Sequence, residues 1–466
     1  MVKGMRRWFW GIFLVTSAVG MGTGYYVLFS PKIGTATVAQ IDALLPASLK
    51  GKDLPDPQGE ERYREVVGLA HLFNEKPLNR FEKPPDLLAD KALPENEAVL
   101  VKIEAVLKKG NLRVPERPPK TLFPDLPKLK NVAKLIAVSI QAAQKRGDVR
   151  ACERWAVLGL RYREAIGRAG GVVIDQLIAT AIDGIVLRSL YLAEIENGFD
   201  GAGRTRLITM LKPKDGTSPV MADAVRRDFQ ANWTPLLYDP AANAKELMEI
   251  GEPTSDLRGE DEPEPPGSLK PSGTFDPIAT AKLAGGIYDA IISDLHRTPT
   301  KILHAEEPLL DGAKKGLPTS DSNSGPEGLW YRVRMNVGNN TLGRQALVYG
   351  GMTQLTYAVG REATNRNLIR AVLILRSGGT PSVIDPLGKG NLFFDRKQQI
   401  VWSVGEDGRN DGGMIDKGYM DSAPDLGYPY GDHSWAKLHP PQTSSPSFAG
   451  GPPPGLPPGY PAPGFK

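Results

Sequence analysis

Oxygen donors and glycines crowd together between Ser403 and Asp416, in the stretch SVGEDGRNDGGMID. Calcium takes about six to eight oxygens from carboxylates, carbonyls and neutral side chains, on a chain flexible enough to wrap the ion. Gly405, Gly408, Gly412 and Gly413 supply that freedom. Asp407 and Asp411 supply charge, and Ser403, Asn410 and Asp416 are further donors. An EF-hand register does not fit: numbered from Asp407, the third position is Arg409 and the twelfth is Gly418. The loop therefore reads in two ways, as a calcium site or as an Asp-Gly turn closed by its own side-chain to backbone hydrogen bonds.

Elsewhere, residues that could do chemistry are sparse. Asp175 and Asp183 stand eight residues apart in one helical pattern. As a pair they could do acid-base work, but with no nucleophile or base placed beside them they read as the solvated edge of that helix. His71, His296, His304, His433 and His439 are scattered, and there is no H-E-x-x-H, C-x-x-C, G-x-S-x-G or phosphate-binding glycine loop. No catalytic residue is assigned. Cys152 is the single cysteine, which excludes an internal disulfide and suits a buried, inert thiol.

The elements that must position these residues are mostly helices. Leu129, Val132, Ile136, Ile140 and Ala143 form one apolar stripe, and Ala151, Trp155, Leu158, Tyr162 and Ile166 form a second after a break at Gly147-Asp148. Gly147 ends the first helix and Asp148 caps the next. This turn resembles that of a tetratricopeptide-type helix pair, without a second copy at the expected period. After Gly170-Gly171, residues 172–196 form a third helix, apolar on most sides, that belongs in the middle of a bundle. Its Asp175, Asp183, Arg188 and Glu194 keep it out of lipid. Shorter helical patterns cover 60–74, 95–109, 220–237 and 277–295, residues 297–325 read as loop, and 329–376 read as one long or broken helix. The fold class is mainly α: an N-terminal transmembrane helix, an exported bundle of antiparallel hairpins, a small C-terminal β-hairpin module and a Pro/Gly-rich disordered tail.

Short strands at 391–394 and 399–403 follow the turn Asp385-Pro386-Leu387-Gly388. The segment 365–413 resembles the C-terminal β-region of type II secretion major pseudopilins. In that family a D-P-x-G turn precedes strands ending in a W/Y-S-x-G-x-D-G loop that binds calcium. Asp385, Pro386 and Gly388 match the turn, and Trp402, Ser403, Gly405, Asp407 and Gly408 match the loop. The resemblance implies calcium at the same loop. The glutamate that follows the family's processing site is replaced by Phe9 or Thr16, so the hairpin reads as a module outside a pilin. The overall plan resembles bacterial single-pass membrane proteins.

That plan rests on residues 8–29, a run of 22 without a charge, preceded by Lys3, Arg6 and Arg7. Roughly 20 apolar residues cross a bilayer core, and the basic flank places residues 1–7 in the cytoplasm and the bulk outside. A cleaved signal peptide is the alternative, with Ser17-Ala18-Val19 inside the run as a poor cleavage site. Gly20 and Gly24 have the spacing at which two membrane helices approach, which implies a homodimer. Beyond the span come a stalk at 30–58, an exported helical domain at 59–249, an acidic Pro-rich linker at 250–276, a second helical region at 277–384, the hairpin and loop at 385–421, and the tail at 422–466. A net charge of +4 without a basic stripe argues against nucleic acid. The expected function is a membrane-anchored interaction or scaffolding protein of the bacterial envelope with protein partners. The alternatives are an envelope hydrolase with an unrecognised site and a secretion-system accessory.

Overall fold

Gly147 adopts a positive φ of 68°, and the Asp148 carboxylate accepts the Ala151 amide at 3.0 Å. The turn expected from Gly147-Asp148 is thus formed as read, and it reverses the chain between two long helices. The structure is a computed structural model that describes residues 32–51, 53–74, 94–116, 125–242, 274–315, 317, 340–341, 344, 347, 355–405, 408–413 and 425–431. The apolar run 8–29, with Gly20 and Gly24, lies outside the described residues, as do most of the linker and of the tail. Among the described residues no helix is long and apolar enough to cross a membrane.

The chain enters through β1 (Lys32–Ile33) and α1 (Val38–Leu44), then α2 (Pro57–Ala70), α3 (Pro94–Lys109), α4 (Asp125–Lys145), α5 (Val149–Arg168), α6 (Val173–Ile195) and α7 (Gly201–Met210). Then follow α8 (Pro219–Asp228), a π-helical turn at Phe229–Trp233, and α9 (Thr234–Tyr238). The last elements are β2 (Thr274–Phe275), α10 (Pro277–Leu295), α11 (Glu306–Lys314), α12 (Leu355–Arg376), β3 (Phe393–Asp395), β4 (Ile400–Ser403) and β5 (Leu426–Pro429). The protein is mainly helical with a small antiparallel sheet.

Two apolar cores organise these elements. The first is built on α4, α5 and α6, with Leu129, Ile136, Tyr162, Ile182 and Leu190 fully buried. Side chains three and four residues apart face one way on each helix, so the stripes legible in the sequence meet here. At Gly159 a Cβ would lie 3.0 Å from Val186 and 3.2 Å from Ile136, so the missing side chain is what lets α5 approach both neighbours. Helix α12 adds Leu368, Ile369 and Val372 to this core, the sheet adds Val401, and Tyr430 joins it just after β5.

The second core gathers Phe229, Phe275, Ala281, Ile287 and Tyr288. Residues 32–49, read as a stalk, are part of it: Ile41, Leu45 and Leu49 are buried there, and β1 pairs in parallel with β2 through Lys32↔Thr274 and Ile33↔Phe275. Other stretches also differ from the sequence reading. The segment 297–325 contains α11. The sheet gains a third strand, β5, from residues placed in the tail, with Val401 opposite Tyr428 and Ser403 opposite Leu426. Its edge is held to the helices where Tyr191 donates to the Pro429 carbonyl at 2.9 Å and Arg376 to that of Tyr430 at 2.9 Å.

Candidate functional site

The Ser403–Asp416 loop is organised from beneath by Asp385, a buried carboxylate. Its Oδ1 accepts the Ser403 hydroxyl at 2.7 Å and the Leu387 amide at 3.1 Å, and its Oδ2 accepts the Val404 amide at 3.1 Å. Ser403 is fully buried and faces Asp385. Asn410 accepts from the Trp402 indole at 3.0 Å and from the Gly412 amide at 3.0 Å. A second buried carboxylate, Asp425, accepts the amides of Asp411 and Gly413 at 3.1 and 2.9 Å. Sequence reasoning missed Asp425 because it lies beyond the loop and arrives with β5. Asp407 and Asp416 lie outside the described residues. In the described part, then, the side-chain oxygens of Ser403 and Asn410 are engaged in closing the turn, and Asp411 is half-buried.

Asp175 and Asp183 are not the solvated edge of α6; both are buried. The first closes the start of the helix, its Oδ2 accepting the Val172 amide at 2.9 Å. Asp183 faces inward to Arg163 of α5, at 2.5 Å. The same guanidinium reaches Glu362 of α12, which also receives Lys214 on both oxygens at 2.9 Å. Asn367 fastens Lys214 in place, accepting its amide at 2.9 Å and donating to its carbonyl at 2.7 Å. Burial pushes the Asp183 carboxyl well above its ordinary range; Arg163 opposes this and the adjacent Glu362 carboxylate adds to it. Burial also works against ionisation of Glu362, but the bond to Asp183 and the charges of Lys214 and Arg163 hold it well below the carboxylate range. The result is two carboxyl groups between two cations, one pushed up and the other held down. Such a cluster joins α5, α6 and α12, and its groups are spent on one another.

Cys152 is fully buried. Burial, with Glu194 and Asp148 nearby, pushes its thiol up to about 12, so it carries no nucleophile at neutral pH.

A third cluster joins three elements that the sequence reading left unconnected. Asp294, in the last turn of α10, is fully buried. Its carboxylate accepts Arg297 at 2.7 Å and the amides of Leu303 and His304 at 3.1 and 2.9 Å, drawing the loop 297–304 back over the helix end. This brings His304 to Glu306, the first residue of α11, with Nδ1 and Oε1 3.3 Å apart. The His304 ring stacks on Tyr357 of α12 at 5.4 Å between centroids, and Nε2 lies 3.4 Å from the tyrosine hydroxyl. One ligand atom from each of Asp294, His304 and Glu306 lies within 4.8 Å of the others. No local motif signals this group, because its spacing belongs to a loop folded over a helix end.

No protein-family model, curated protein or solved structure matches this chain.

Proposed function

We propose that the protein is a membrane-anchored interaction or scaffolding protein of the bacterial cell envelope, held by residues 8–29 with its folded body outside the cytoplasm. The observation that carries this reading is the clamp made by Asp53. Its carboxylate binds Arg113 at 2.6 Å, Arg226 at 2.6 Å and Arg227, while Arg226 donates to the Gly51 carbonyl at 2.7 Å. Together with β1 and α1, the clamp ties the segment that follows the apolar run to both cores. A partner would therefore meet a rigid platform set directly beyond the anchor, not a domain swinging on a stalk. The described charges Asp183, Arg163, Glu362 and Asp53 are spent in ion pairs that join separate elements of the fold, which suits a platform better than a turnover site.

The test has two arms. A tag at residue 460 is expected to be cut by protease added to spheroplasts while a tag at residue 2 is protected; the opposite pattern overturns the topology. Crosslinking in intact membranes is then expected to recover partners through lysines of α3 and α4, such as Lys102 and Lys145. Crosslinks confined to the membrane segment would overturn the platform reading.

A further inference from the structure

We infer that Asp294, His304 and Glu306 form a binding site for a Zn²⁺-type divalent cation. Two carboxylates and one imidazole are a mixed oxygen and nitrogen set, which favours borderline first-row cations over calcium or magnesium. The independent observation is Glu306. It is 1% exposed, and among the described residues its Oε2 has no hydrogen-bond partner. A buried carboxylate oxygen without a partner is costly, and a cation is the counterpart that relieves it. An imidazolium at His304 would serve Oε1 alone and leave Oε2 as it is.

The lone pairs also allow it. Asp294 Oδ1 already accepts from Arg297 and Leu303, whereas among the described residues Oδ2 accepts only the His304 amide and retains a lone pair for an ion. His304 offers Nδ1 on the side of Glu306. Its Nε2 lies against the Tyr357 hydroxyl, so that Nε2–H can donate there and fix the ring, the outer-shell arrangement that ligating histidines require. Ligands about 2.1 Å from one ion lie about 3.4 Å apart in a tetrahedral arrangement. The 4.8 Å spread of the three ligand atoms closes to this by rotation of side chains, chiefly the half-buried His304. Arg297 stands on the far oxygen of Asp294 and lowers the net negative charge of the group. Glu307, 3.9 Å from Nδ1 at the rim, offsets it.

The experiment uses the tag-free, full-length chain in detergent, stripped with chelator and titrated with Zn²⁺ by calorimetry, with Ca²⁺ as control. One equivalent of Zn²⁺ is expected to bind and Ca²⁺ is expected not to compete for it. Glu306→Gln keeps the shape and removes the charge, and His304→Asn tolerates the positive φ of 49° at that position. Each is expected to abolish the site, and Tyr357→Phe to weaken it roughly 10–100-fold, with far-ultraviolet circular dichroism unchanged. Zinc binding that survives in both ligand variants, or no binding by the wild type, overturns the assignment.

Discussion

Arg163 on α5 and Asp183 on α6 meet at 2.5 Å inside the first core, and the same guanidinium reaches Glu362 on α12. One cation thus holds together three helices of which the third enters the chain about two hundred residues later. Removing one member of a buried ionic group strands the others, at a cost of about 3–5 kcal/mol. Arg163→Leu is therefore expected to lower stability by about that amount. Asp183→Asn keeps the shape and is expected to cost less, about 1.5 kcal/mol or below, the size of one hydrogen bond, because burial already works against the charged form that it removes. The folded pKa of Asp183 is raised, so its contribution is present below the unfolded value and is lost as pH rises through the folded one. The Asn variant should accordingly gain on the wild type as pH rises above about 4. Urea melts across pH check both points; an Asp183→Asn loss as large as that of Arg163→Leu would show that Asp183 is ionised.

Asp53 has the opposite sign. Partial burial works against its ionisation, but the hydrogen bonds and charges of Arg227 and Arg226 outweigh this and hold the carboxyl well below its ordinary range. A depressed folded pKa contributes stability that is present above the unfolded value, about 4, and is lost as pH falls towards the folded one. Asp53→Asn should flatten the acid limb of the stability curve below pH about 4 and leave the neutral-to-alkaline limb parallel to the wild type. An unchanged acid limb would mean that Asp53 adds nothing to the union of the N-terminal segment with α8.

The loop after β4 makes a third prediction. With Ser403 engaged by Asp385, and Asn410 by Trp402 and Gly412, calcium would have to be held by Asp407, Asp411, Asp416 and backbone carbonyls. The melting temperature of the full-length protein is expected to be the same in millimolar calcium and in chelator, as for a self-closed turn. A chelator-dependent fall that Asp407→Ala abolishes would establish calcium there instead.

The three long helices of the first core were legible because a stripe with a period near 3.6 names both the helix and its buried face without knowing the partner. Gly147-Asp148 and Gly170-Gly171 were legible as breaks for a similarly local reason: positive φ values of 68°, 84° and 86° at the glycines, and capping carboxylates at Asp148 and Asp175. Asp183 was not legible as a buried acid. A carboxylate every second turn looks like a wet edge unless the guanidinium of another helix is known to face it. The stalk concealed a strand for the same reason, since Ile33 pairs with Phe275 from the far end of an acidic linker, and Ile41 and Leu45 become core only against α10 and its neighbours. The cation site depends still more on tertiary structure. Asp294 must end one helix, Glu306 must begin another, and Tyr357 must come from a third to hold the ring between them. Local periodicity and turn chemistry are properties of neighbouring residues, and the sequence by itself determined them. Which charges are withdrawn from water and against what is a property of the packed surfaces, and only the tertiary structure decided it.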